Sequence, residues 1–161
     1  MATPSLPLIK ALRTTADRLK KGAIYAWGHH GCCNCGHLLQ SITNQSAEDL
    51  LKGAHTSIGE WTEIADEYCG VSNLPAYELM HALEKAGLTP TDVHHIEYLN
   101  DRSILDKLPG GFRWLKRNDR ADVIVYLQTF ADILEDQLAW QLEFPSELFE
   151  SKTIASPLIA I

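Results

Sequence analysis

The chain has 161 residues, 45% of them hydrophobic, with 14 Lys and Arg against 21 Asp and Glu and a formal net charge of -7. That length and apolar fraction predict one globular domain, able to bury a full core without disulfides or a metal as a folding aid. The acidic balance argues against a protein whose main business is non-specific nucleic-acid binding or docking on anionic lipid, since both need a basic footprint.

Lys10 and Arg13 interrupt the first apolar stretch, so no secretory signal is predicted. No run reaches the ~18–20 apolar residues of a membrane span. The expected compartment is the cytoplasm, with no membrane partner, and thiols stay reduced there. Leu8, Leu12, Ala16 and Leu19 repeat at helical spacing between Ser5 and Lys21, and Gly22 is a natural stop. Ala23 to Gly36 has no period and reads as a loop. Asn34 is expected to cap a helix over Cys35 to Thr43, and Ser46 with Asp49 to open one over Ala47 to Ala54. Ile58, Trp61, Ile64 and Tyr68 suggest a further helix. Asn73 and Pro75 start the next, with Leu79 and Leu83 on its buried face and a cap at Gly87. Thr89 to Asp92 is another start signal, leading into Val93, Ile96 and Leu99. Ser103 to Leu108 predicts a short helical turn, and Pro109-Gly110-Gly111 the strongest break. A long helix from about Asp119 to Glu143 carries the stripe Val123, Leu127, Phe130, Leu134 and Leu138. Within it, Val123 to Tyr126 is β-prone, but its longer context is helical. The expected fold is all-α: a single-domain irregular bundle of about six or seven helices over residues 1–145, with 146–161 as a C-terminal tail.

The chemically unusual stretch is Trp27 to His37, which places three thiols and three imidazoles within nine positions from His29 to His37. These side chains suit Zn or Fe, and the interleaved Gly residues let backbone fold tightly around a small centre. Cys32 and Cys35 have C-x-x-C spacing. Cys32, Cys35 and His37 are the predicted ligands, completed by His30 or the remote Cys69. A second half-site of the same spacing is missing, so the remaining ligands must come from scattered positions.

The same residues suit a metal-free thiol chemistry. A helix starting at Asn34 puts Cys35 in its first turn, where exposed N–H groups favour a thiolate. Cys35 would then be the catalytic nucleophile and His37 its base. Dithiol redox exchange between Cys32 and Cys35 is a weaker variant, since no thioredoxin-type α/β context surrounds them. Tyr25-Ala26-Trp27-Gly28 followed by Asn34 to Gln40 locally resembles the nucleophile region of NlpC-type cysteine peptidases, which carry Y-x-W-G before D-C-S-G-L-[VL]-Q. Asn34 stands for Asp, and Gly36-His37 for Ser-Gly. The resemblance implies Cys35 as nucleophile and a downstream β-sheet bearing the catalytic His. Here His94 and His95 fall in a predicted helix, so the match is read as a coincidence of loop-to-helix geometry. The third alternative is a non-catalytic helical interaction module in which the loop is merely compact and its Cys residues pack as small hydrophobes.

Other candidates carry less. At most one of His94 and His95 can face inward from a helix. Glu78-x-x-His81 has one copy of a di-iron spacing that needs two. Arg113 to Arg117 is a small basic–aromatic segment. It is read as a loop whose Trp114 packs and whose charges stay solvated, with contact to an acidic partner as the alternative. Walker, G-x-G-x-x-G and G-x-S-x-G patterns do not occur.

Overall fold

A computed structural model describes residues 1–54 and 75–143. Among these residues the chain forms seven helices and no strand: α1 Leu6–Lys20, α2 Asn34–Thr43, α3 Ala47–Ala54, α4 Pro75–Lys85, α5 Pro90–Tyr98, α6 Arg102–Leu105 and α7 Arg120–Glu143. The fold is all-α, as the periodicity predicts. The helix expected over Ile58 to Tyr68, the cap at Asn73 and the tail at 146–161 lie outside the described residues. No described helix is long and apolar enough to cross a membrane.

Local chemistry sets the helix ends. Ser5 Oγ accepts from Leu8 N at 3.3 Å to open α1. At its far end Gly22 takes φ +92°, and Ala23 N reaches back to the Arg18 carbonyl at 3.1 Å, closing the last turn. Asp49 N donates to Ser46 Oγ at 3.1 Å while Ser46 N donates to Asp49 Oδ2, so the pair caps α3 from both sides. Thr89 and Asp92 do the same for α5. The expected turn at Ser103 begins one residue earlier, because Asp101 rather than Arg102 supplies the capping oxygen, accepting from Ser103 N at 2.8 Å.

The most extensive helix contact is between α1 and α7. Leu8, Leu12, Ala16 and Leu19 from α1 meet a core that includes Val123, Tyr126, Leu127, Phe130 and Leu134 of α7, all essentially without exposure. At the edge of this pair Arg13 forms ion pairs with Asp132 and Glu135. Helix α2 packs on α1 and is contacted from other sides by α3, α4 and α5. Its position explains why Asn34 to Gln40 are all buried. The Cys/His-rich loop enters this central helix, and therefore lies at the junction of the fold.

Candidate functional site

The loop from Ala23 to Cys33 folds directly onto the first turn of α2. A Cβ on Gly36 would meet the His30 carbonyl oxygen at 2.1 Å, so only glycine permits this approach. Gly31 is similarly pressed against the Ala47 carbonyl of α3. Cys32 N and Cys33 N both donate to the His29 carbonyl, at 2.7 and 2.8 Å, which coils the loop tightly before the helix begins.

The cap of α2 is Cys33, not Asn34. Cys33 Sγ accepts from Gly36 N at 3.3 Å. Asn34 is displaced from the capping role because its amide is used elsewhere. Its Nδ2 donates to the Ile96 and Glu97 carbonyls at 2.9 and 3.1 Å, satisfying the C-terminal end of α5. Trp27 Nε1 donates to the same Glu97 carbonyl at 3.1 Å. The Tyr25 hydroxyl has two acceptors for its one proton, Asn34 Oδ1 at 2.7 Å and the Arg117 carbonyl. Gln40 Nε2 donates to the Gly31 carbonyl at 2.7 Å. His37 Nε2 bonds the Ile24 carbonyl at 2.8 Å, which makes Nε2 the protonated nitrogen. The polar side chains around the loop thus tie backbone carbonyls of α5, the loop itself and the segment before α7 into one hydrogen-bonded knot.

The thiols sit inside this knot. Cys33 and Cys35 are buried, Cys35 with no exposure at all, and Cys32 is half-buried. No disulfide joins them. Cys35 Sγ donates to the Val93 carbonyl at 3.6 Å. Burial pushes the Cys32 thiol above its ordinary value. Burial also holds His37 below the ordinary imidazole value, against the opposing effect of its bond to Ile24, and the Arg18 and Arg120 charges add to the lowering. Nδ1 of His37 is buried and, among the described residues, has no hydrogen-bond partner, and the same holds for Nδ1 of His29.

His30, Cys32, Cys35 and His37 lie in one loop and the helix it enters, but no three His, Cys, Asp or Glu side chains among the described residues converge on a point that could hold a metal. Cys69 lies outside the described residues. The downstream sheet implied by the peptidase resemblance does not occur among them. His94 is exposed and stacks on Tyr98 at 4.6 Å, while His95 turns toward Asp101 at 3.4 Å. His81 is exposed on α4 beside Glu84.

Sequence reasoning missed the part played by Asn34, Tyr25 and Trp27, each of which reaches a backbone carbonyl more than sixty residues away, and by Gln40, which ties back to Gly31 in the loop. It also missed that Arg117 lies over the rings of Trp27, at 3.8 Å, and Tyr98, at 4.5 Å. This cation–aromatic stack attaches the segment before α7 to the outer side of the knot. Trp114, expected to pack, is 68% exposed, and its neighbour Leu115 is the residue that turns into the core.

Comparison of the chain with family models, with curated proteins and with solved structures found no match.

Proposed function

We propose that this chain is a non-catalytic binding module, and that its Cys/His-rich loop is a structural knot that holds three helices and the segment before α7 in register. The observation that carries this reading is the place of Cys35: without exposure, and with its Sγ 3.6 Å from the Val93 carbonyl oxygen, so that no thiol surface is open to a substrate. A thiol nucleophile needs the opposite surroundings, partly exposed and electropositive. The amide, indole and imidazole donors around it are likewise committed to backbone carbonyls. Titration of the native protein with a chromogenic disulfide reagent, followed by mass mapping, tests the reading. Cys33 and Cys35 should react only when the protein is unfolded. Rapid reaction of one equivalent mapped to Cys35 would return the site to thiol catalysis with His37 as base.

A second reading rests on the Nδ1 atoms of His29 and His37, which are buried and have no hydrogen-bond partner among the described residues. A transition metal, Zn or Fe, would find imidazole lone pairs there, with Cys32, Cys35, His30 and Cys69 as further donors. Cys35 would have to leave Val93 to take part. Metal analysis of protein purified without tag or chelator decides this. One equivalent of Zn or Fe, lost on Cys32→Ser substitution, favours the metal site; its absence leaves the knot.

A further inference from the structure

The segment between α6 and α7 stands apart from the rest of the surface. With the ends of both helices counted, residues 101–122 hold six of the chain's 14 Lys and Arg against four of its 21 Asp and Glu. A locally basic strip therefore crosses an otherwise acidic protein. The strip also carries two large exposed aromatics, Phe112 at 39% and Trp114 at 68%. Their rings meet edge to face at 5.2 Å, and the Arg102 guanidinium lies 3.9 Å from the Phe112 centroid.

The loop is held from both sides. Leu108 is buried before it and Leu115 packs on the core after it. Gly110 and Gly111 take φ +87° and +89° to make the turn that leads in. Lys116 N donates to Asp122 Oδ2 at 2.8 Å, and Arg117 is stacked on Trp27 and Tyr98. Between these anchors residues 112–115 run in no regular element, and among the described residues their backbone N–H and C=O groups make no hydrogen bond. Phe112 and Trp114 share one side, and Leu115 turns to the other.

We propose that residues 112–116 form a docking edge for an extended acidic peptide segment of a partner protein, one that alternates apolar and acidic side chains. This rests on the reading of the chain as a binding module. Main-chain groups of 112–115 would pair with the peptide backbone, the mode by which extended ligands add to an unpaired edge. Phe112 and Trp114 would take its apolar side chains, and aromatic and Arg residues are the types that dominate interface energetics. Lys116 and the neighbouring Lys107 and Arg120 would meet its carboxylates, together with Arg113, whose guanidinium lies 3.8 Å from Asp122 Oδ1 and would exchange that carboxylate for the peptide's. A main-chain edge that offers both N–H and C=O groups favours a peptide, which supplies both in return, over nucleic acid.

The test uses the full chain and a short fluorescein-labelled peptide of alternating Leu and Glu, followed by anisotropy. A single-stranded oligonucleotide and phosphatidylserine vesicles serve as competing probes. The peptide should bind, more weakly as salt rises, and Trp114→Ala and Arg113→Glu should each weaken it by about ten-fold while the helical circular dichroism is unchanged. No peptide binding, binding indifferent to both substitutions, or Trp114-dependent preference for the oligonucleotide or the vesicles overturns the proposal. Amide shifts on peptide addition separate this proposal from the reading beneath it. Shifts confined to other helices overturn the docking edge and leave the binding module standing. A fast-reacting Cys35 in the thiol titration removes the module itself.

Discussion

His37 couples the knot to pH. Burial depresses its folded-state value below the ordinary 6.5, so at pH below 6.5 the unfolded chain binds a proton that the folded chain resists. The stabilisation from a neutral His37 is complete above 6.5 and is lost as pH falls from there toward the folded value. Thermal melts between pH 7.5 and 5 should show a declining midpoint, and His37→Gln, which keeps an amide donor for the Ile24 carbonyl, should flatten part of that decline. An equal decline in the variant would remove His37 as the cause. Gly36 tests the same knot by sterics. Alanine there would place a Cβ 2.1 Å from the His30 oxygen, so loop and helix must separate. A loss of about 3 kcal/mol in denaturant unfolding is expected; a loss below about 1 kcal/mol would mean the loop moves freely, contrary to the knot. The thiols and imidazoles of this region were legible as a cluster in the sequence. Their state was not, because whether a cysteine is a nucleophile, a ligand or a capping group depends on which carbonyls and amides surround it.

Helix ends were the part of the sequence that local chemistry determined best. Thr89 and Asp92 form the reciprocal cap of α5, with Thr89 N donating to Asp92 Oδ2 at 2.9 Å and Asp92 N to Thr89 Oγ1 at 3.2 Å. Thr89→Ala should cost about 1 kcal/mol, read as a lower urea midpoint with unchanged m-value. A midpoint that did not move would show that tertiary contacts alone hold the end of α5. The β-prone run Val123 to Tyr126 lies within α7, where Val123 and Tyr126 join the buried stripe of Leu127, Phe130 and Leu134 while Ile124 and Val125 are half-buried beside it. Where the reading missed, the cause was tertiary. Asn34 has the composition of a cap, yet the carbonyls of α5 take its amide and Cys33 Sγ caps α2 instead. Trp114 has the composition of a core residue, yet it is Leu115 that packs.

At the scale of the whole molecule, the long pairing of α1 with α7 supplies the frame and α2 is inserted at its side. Phe130, 1% exposed on α7, lies within the core that these helices share. Phe130→Ala should remove about 4 kcal/mol of stability by cavity formation, and calorimetry should show a lower melting midpoint with the helical signal still lost in one step. A change of less than about 1 kcal/mol would deny the α1–α7 core its central place. The sequence by itself determined the all-α class, most helix limits and the apolar stripes, because these follow from capping groups and periodicities that act within a few residues. Only the tertiary structure decided that the Cys/His-rich loop becomes a hydrogen-bonded knot and that the basic–aromatic segment stands exposed. Both depend on partners sixty or more residues away along the chain, such as Glu97 for Trp27 and Arg117 for Tyr25, and no local pattern encodes which distant carbonyl a side chain will meet.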